Sequence, residues 1–246
     1  MQNEELHLKP IRIGCVISYL LLVAFPAAAD QEKPAVRASN GLARVGVSAA
    51  GGGGDHVVGV LGGGQYTLPI SERFGARVGL DVGPSVDVND GTVREAVAVN
   101  VAAFWRRPDS FFVQARASGL RLADITRAGA DLSAGGYLES WDYEAGFAYQ
   151  GGDGGNLLGL RAGIGGYPAE DFRLRFEGNV GLLDSSVSAA GGLGASWQPG
   201  KETNLVIGFT STAGAFDGEF FYQGGFSATY YFGERRTLRQ KIREDW

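Results

Sequence analysis

Two sets of residues in this 246-residue chain are of types that could carry chemistry. The first is His56 beside Asp55, since an imidazole next to a carboxylate can act as general acid and base in a hydrolase or protease. The second is a long series of Arg, Asp, Glu, Asn and Gln at alternate positions, which places polar groups along one face of an extended chain. A lone histidine at a junction between a loop and a strand is more often an ordinary polar residue, so the sequence predicts no enzyme.

Other patterns that would indicate a cofactor are incomplete. Gly51–Gly54 lacks the lysine that follows the glycines of a phosphate-binding loop, and no complete G-x-G-x-x-G is present. The single cysteine, Cys15, lies in the first 29 residues, so the rest of the chain can form neither a disulfide nor a thiolate metal site. The net charge of -5 gives no reason to expect nucleic acid. We therefore expect no cofactor and no metal.

Residues 1–29 are predicted to be an export signal. Lys9 and Arg12 precede an uncharged apolar run, and Ala27–Ala29 offers the small-residue cleavage pattern. The alternative, a transmembrane anchor, needs about 20 apolar residues, whereas this run has about 13. The exported chain should begin near Asp30.

The remainder of the chain has the period-two pattern of strands. From Ala76 to Val88, Val78 and Leu80 share one parity, and Arg77 and Asp81 share the other. The predicted strands are 42–50, 56–68, 74–88, 92–105, 111–122, 126–138, 141–150, 156–167, 171–182, 186–198, 203–212 and 219–232. The strand at 126–138 is the least regular, which leaves ten strands as the alternative to twelve. Many are about 9–13 residues long, which suits a tilted bilayer crossing better than the roughly six residues of a strand in a soluble β-sandwich, the alternative fold.

Alternate connections are short turns that contain proline, at 69–73, 106–109, 168–171 and 199–201. The aromatic residues that flank them are Tyr66, Phe74, Trp105, Phe111, Tyr167, Phe172 and Trp197. Such a band is typical of a membrane interface. We assign these turns to the periplasmic side and the Gly- and Asp-rich connections to the outer side.

These features resemble the Gram-negative outer-membrane β-barrel (porin-like) superfamily. The resemblance implies an all-β, antiparallel up-and-down transmembrane barrel at 42–232, preceded by a lead-in at 30–41 and located in the outer membrane. It also implies contact with outer-membrane lipid and lipopolysaccharide. The strand at 219–232 is similar to the C-terminal strand that the barrel-assembly machinery recognises. Members of the superfamily often end at that terminal aromatic residue, whereas this chain continues to Trp246.

In such a barrel the polar parity should line the lumen. The predicted lumen residues are Arg44, Arg77, Asp81, Asn100, Gln114, Arg116, Arg127, Asp131, Asp142, Glu144, Arg161, Arg173, Arg175, Glu177 and Asn179. The predicted outer-rim residues are Asp55, Asp87, Asp90, Asp124, Asp153, Asp184 and Asp217. A narrow channel for small solutes or ions and a structural barrel with a filled lumen both remain open at this point. Because acidic rings favour cations, we expect any channel to prefer cations mildly.

The segment 233–246 is expected to be a periplasmic tail. Leu238, Ile242 and Trp246 would form one helical stripe among basic residues. This stripe could dock on a periplasmic partner or on the barrel mouth, or the tail could be a solvated terminus.

Overall fold

The computed structural model describes residues 40–71, 73–107, 111–122, 125–153, 155–183, 186–200, 203–232 and 236–244. Within these ranges twelve antiparallel strands form one sheet, and β1 pairs with β12 to close it into a barrel. The strands are β1 Asn40–Gly52, β2 Asp55–Pro69, β3 Phe74–Asp87, β4 Val93–Arg107, β5 Phe111–Leu122, β6 Ile125–Leu138, β7 Trp141–Gly152, β8 Leu157–Ala169, β9 Phe172–Leu183, β10 Ser186–Trp197, β11 Leu205–Phe216 and β12 Glu219–Phe232. One short helix, α1, follows at Leu238–Glu244. The predicted up-and-down barrel of twelve strands is confirmed.

The strand bounds differ from the predicted ones by a few residues. β11 extends to Phe216, whereas the hydropathy pattern suggested an end at residue 212. Residues 213–215 are Ala, Gly and Ala, so their hydropathy does not alternate, but their backbone pairing with β10 and β12 continues to Phe216. β1 begins at Asn40, inside the expected lead-in. The predicted signal segment lies outside the described residues.

The two faces of the sheet differ in the way that a bilayer requires. On β3, Leu80 points outward and is 48% exposed, whereas the inward-pointing Asp81 is 3% exposed. Leu80 pairs with Val99 of β4, which is 47% exposed. A continuous apolar exterior of this kind would be unfavourable in water and is stable in lipid, where closure of the sheet pairs its two edge strands with each other.

The strands are long enough to cross a bilayer. They contain 12 to 15 residues. At about 3.3 Å per residue and a tilt near 40°, a strand of this length crosses a hydrocarbon core of about 30 Å. Among the described residues, no helix is both long and apolar enough to cross a membrane.

The tight turns use backbone conformations that favour glycine. Gly53 and Gly54 have φ angles of 60° and 98°, and Asp217 and Gly218 have angles of 51° and 80°. Positive φ at both central residues is the requirement of the two-residue hairpin turn whose twist matches the flanking strands. Such turns leave no loop at either position that could fold into the lumen.

Aromatic side chains lie at the end of the barrel that carries Asn40 and Phe232, which we call the periplasmic end. Phe74 and Trp197 point outward there, and the rings of Trp105 and Phe111 are 5.2 Å apart. The prediction that Tyr167 belongs to the aromatic band at the membrane interface is wrong. This side chain is buried inside the barrel because it continues the inward parity of the odd-numbered residues of β8.

The first prediction tests the two faces. Leu80→Arg should destabilise the folded barrel by about 2–4 kcal/mol, because it places a charge near the bilayer midplane. Thr210→Arg is the matched control, since Thr210 also lies near the middle of its strand but points into the lumen. The measurement is the fraction of heat-modifiable folded protein in outer-membrane preparations. Equal loss in both variants would contradict the facing, and a soluble wild type without heat-modifiability would contradict the barrel.

Candidate functional site

Ion pairs cross the inner surface of five neighbouring strands, β5 to β9. This ion-pair ladder consists of Arg116, Asp131, Asp142, Glu144, Arg161, Arg173, Arg175 and Glu177. Arg116 Nε lies 2.5 Å from Asp131 Oδ2. Arg161 Nη2 lies 3.3 Å from Asp131 Oδ1 and 2.7 Å from Glu144 Oε1, so it joins two carboxylates on different strands.

The ladder continues across β8 to β9. Arg175 Nη2 lies 3.1 Å from Glu144 Oε2, and its Nε lies 3.3 Å from Glu177 Oε2. Arg173 and Asp142 form a bidentate pair, with Nη2–Oδ1 and Nε–Oδ2 distances of 2.6 and 3.1 Å. Each guanidinium of the ladder therefore has a carboxylate partner, which offsets the cost of removing these charges from bulk water.

Glycine on an intervening strand allows ion pairs between strands that are not neighbours. Gly165 of β8 lies between β7 and β9, and a Cβ there would come within 2.7 Å of Asp142 Oδ1 and 2.8 Å of Arg173 Nε. The same arrangement occurs on the other side of the barrel, where Arg44 of β1 binds Asp81 of β3 over Gly63 of β2. The Arg44 Nε–Asp81 Oδ1 distance is 2.7 Å.

The predicted lumen residues outside these pairs also point inward. Near the periplasmic end, Arg77 Nη1 donates to Gln114 Oε1 at 3.5 Å, and its guanidinium carbon lies 5.5 Å from the centre of the Phe104 ring. Near the outer end, Arg127 donates to Gln150 Oε1 at 3.1 Å and to the backbone oxygen of Asp153. Asn100 and Asn179 face inward as well.

The opposite wall of the lumen carries mostly small side chains. We define the small-residue wall by Gly46, Ser48, Ser188, Ala190, Gly192, Gly194, Ser196, Gly208, Thr210, Gly225 and Ser227, which point inward from β1, β10, β11 and β12. A cavity of about 140 Å³ lies against this wall, and Arg44, Arg173 and Arg175 also line it. This cavity therefore lies between the small-residue wall and the β9 end of the ion-pair ladder.

The tail docks at the periplasmic end of this same side. Leu238 of α1 is completely buried against Tyr167 and Val206, and Tyr231 packs on this group. The Lys241 ammonium donates to the backbone oxygen of Arg236 at 2.7 Å. Of the predicted stripe, the side chains of Ile242 and Trp246 lie outside the described residues.

The outer-rim aspartates at described positions lie together at the other end of the barrel. Asp87 Oδ1 accepts the backbone N–H of Asn89 at 3.0 Å, and Asp153 Oδ2 accepts that of Thr126 at 2.8 Å. The first bond is the local turn chemistry of aspartate, and the second joins two neighbouring connections of the rim. Asp55 and Asp217 lie at the same end, and Asp124 and Asp184 lie outside the described residues.

The side chain of Asp90 accepts hydrogen bonds from Thr92 at the outer rim. Hydrogen bonds from the Thr92 hydroxyl and backbone N–H hold the pKa of Asp90 below its ordinary value. A lowered pKa means that the carboxylate keeps its charge as the pH falls to values at which an ordinary aspartate is already protonated.

His56 and Asp55 contact different partners. His56 Nδ1 lies 3.1 Å from the hydroxyl of Tyr222, and an Asp55 oxygen lies 3.5 Å from the amide nitrogen of Asn89. The two side chains thus do not form the hydrogen-bonded pair that the hydrolase interpretation needs.

The sequence analysis missed one buried arginine of the lumen and the start of the tail helix. Arg106 is fully buried and has the inward parity of Asn100, but the predicted strand ended one residue before it. Thr237 and Gln240 form a reciprocal capping box at the start of α1. The T-x-x-Q pattern of a capping box was the signal in the sequence that could have found this helix start.

No protein-family model and no curated protein sequence matches the chain. Among solved structures, it is similar to an outer-membrane channel from Pseudomonas putida F1, with a TM-score of 0.61, 10% identity, and coverage of 85% of this chain and 99% of that one. It is also similar to the translocator domain of autotransporter NalP from Neisseria meningitidis, with a TM-score of 0.60, 13% identity, and coverage of 90% of this chain and 96% of that one. A third similar structure is a KdgM porin, with a TM-score of 0.55, 12% identity, and coverage of 77% of this chain and 99% of that one. This chain has the fold of the outer-membrane β-barrels.

The second prediction concerns the glycine under the Arg44–Asp81 pair. Gly63→Ala should destabilise the barrel by about 1–3 kcal/mol, as overpacking does, because its Cβ would lie 2.2 Å from Leu80 O and 2.3 Å from Asp81 Oδ1. Gly62→Ala is the control, since its outward Cβ would meet only Arg44 O at 4.0 Å. Urea unfolding in lipid vesicles measures the difference. If the two variants have equal stability, the ion pair does not depend on a missing side chain.

Proposed function

We propose that the protein is a narrow porin-like channel for small solutes or ions. The observation that carries this proposal is the uneven lumen. The ion-pair ladder covers β5 to β9, and beyond its last arginines, Arg173 and Arg175, the small-residue wall leaves a cavity. A barrel of eight strands is filled by its own side chains and one of 16–18 strands holds an aqueous channel, so twelve strands with one wall of small residues suit a narrow path.

The similar solved structures support a channel in general terms. They include outer-membrane porins and channels, and one KdgM porin structure is in complex with disordered oligogalacturonate. The 12% identity to that porin carries the fold alone, so our proposal names no particular solute for this chain.

The third prediction tests conduction. Purified protein in planar bilayers should give small, discrete conductance steps. Thr210→Trp should reduce the step size, because Thr210 points into the cavity between Gly194 and Gly225, which leave room for a large ring. Ser211→Trp is the matched control, since it adds the same ring on the adjacent, lipid-facing side.

Silence is the outcome that favours the alternative function. If neither the full chain nor a chain ending at Phe232 conducts across many insertions, the protein is a structural barrel with a filled lumen. Equal steps in wild type and Thr210→Trp would place the conducting path elsewhere in the lumen.

We also propose a mild preference for cations. The ion pairs of the lumen balance one another, which leaves the rims to determine the sign of the field at each mouth. At the outer rim, aspartates form a negative group whose focused potential attracts cations. Arg77 and Arg106 at the periplasmic end act in the opposite sense, so the preference is mild.

The fourth prediction tests this preference. In a KCl gradient the reversal potential should indicate weak cation selectivity, and it should decrease with added salt because exposed charges are screened. Replacing Asp87, Asp90 and Asp153 by Asn should reduce it, since Asn keeps much of the turn chemistry without the charge. Acidification should also reduce it as carboxylates are protonated, and Asp90 should keep its charge to a lower pH than an ordinary aspartate because its pKa is lowered. Anion selectivity in the wild type would overturn the proposal, and unchanged selectivity in the Asn variant would assign these aspartates to turn formation alone.

A further inference from the structure

The tail enters the periplasmic mouth on the side where the lumen is open. Leu238 packs against Val206 of β11 and Tyr167 of β8, which both point inward. Arg239 N donates to the backbone oxygen of Glu170, in the turn between β8 and β9, at 3.0 Å. The helix is thus attached to the inner edge of the barrel from β8 to β12.

The connection between β10 and β11 holds the tail from a second direction. The Gln198 side-chain amide donates to the backbone oxygens of Thr203 and Arg236 at 2.7 and 2.8 Å. The Lys241 ammonium also contacts the Thr203 oxygen, and its side chain is 3% exposed. These contacts are made largely by one apolar and two polar side chains.

The tail lies next to the cavity, where it can affect the passage of a solute. Val206 and Tyr231 line the cavity and also contact Leu238. The helix therefore lies at the periplasmic end of the small-residue wall, directly beyond the space that the proposed solute path uses.

The helix has little stability of its own. It contains seven residues, and isolated helices shorter than about 12 residues are marginal in water. Its structure depends on the capping box at Thr237 and Gln240 and on docking through Leu238. Because the segment is short and lies outside the closed sheet, its docking can be reversed without unfolding the barrel.

We propose that residues 236–244 form a periplasmic cap that docks on the barrel mouth and restricts the solute path. This proposal rests on the proposed channel function. Undocking of the cap widens the periplasmic exit, and docking narrows it, while the strands stay in place.

The fifth prediction is that a chain ending at Phe232 assembles and conducts with larger steps than the full chain. Assembly should persist because Phe232 then becomes the terminal aromatic residue of the last strand. Larger steps follow from removal of the helix at the exit. Planar-bilayer recordings of both proteins, with heat-modifiability as the check on folding, give the comparison.

A point variant keeps the test independent of truncation. Leu238→Asp should undock the cap, since the burial of one leucine side chain corresponds to roughly a ten- to hundred-fold shift in the docking equilibrium. Its steps should match those of the truncated chain. Arg239→Ala is the charge-matched control, because it lowers the net charge by the same amount and keeps the backbone bond to Glu170.

A disulfide between the cap and the rim tests the opposite state. The backbone hydrogen bond between residues 239 and 170 brings them within reach of a disulfide in the double variant Glu170→Cys, Arg239→Cys. Oxidised protein should give the smallest steps, and a reductant should restore the steps of the wild type in the same membrane.

The outcomes separate the cap from the channel. Equal steps in the full chain, the truncated chain and Leu238→Asp would overturn the cap and leave the channel intact. Silence in all of them, with the proteins folded, would overturn the channel. Oxidised and reduced forms of the cysteine variant that conduct equally would also overturn the cap.

Discussion

The structure depends on one constraint, which is that every backbone N–H and C=O within a bilayer needs a partner in the protein. Twelve antiparallel strands meet this constraint only when β1 pairs with β12, because any free edge would expose unpaired groups to lipid. Closure then gives each residue one of two surroundings. Leu80 faces lipid and Asp81 the lumen, although the two are adjacent in the chain.

Closure also concentrates the charges of many strands in one small space, where each needs a partner. The ion pairs that result do not follow strand pairing alone. Arg44 reaches Asp81 over Gly63, and Arg173 reaches Asp142 over Gly165. Glycine thus has a role here besides turn formation, because it removes the side chain that would separate two charges on strands two apart.

The distribution of these pairs makes the lumen asymmetric. Long paired side chains fill the side from β5 to β9, while small side chains leave a cavity along β10, β11, β12 and β1. The tail covers the periplasmic end of that same side through Leu238. Space for a solute and the element that can restrict it are therefore found on one wall of the barrel.

The positions of most strands and the facing of most of their residues follow from the amino-acid sequence, because period-two alternation depends only on local parity. The closed pairing of β1 with β12 settled the strand number at twelve rather than ten. Parity also placed Arg161 and Glu144 in the lumen, and it would have placed Tyr167 and Arg106 there had it been followed to the strand ends. The folded barrel was needed to show which inward charges meet, where the cavity lies and where the tail docks. Those contacts depend on the register between strands and on the curvature of the closed sheet, which bring together residues far apart in the chain and leave no periodic signal in the sequence.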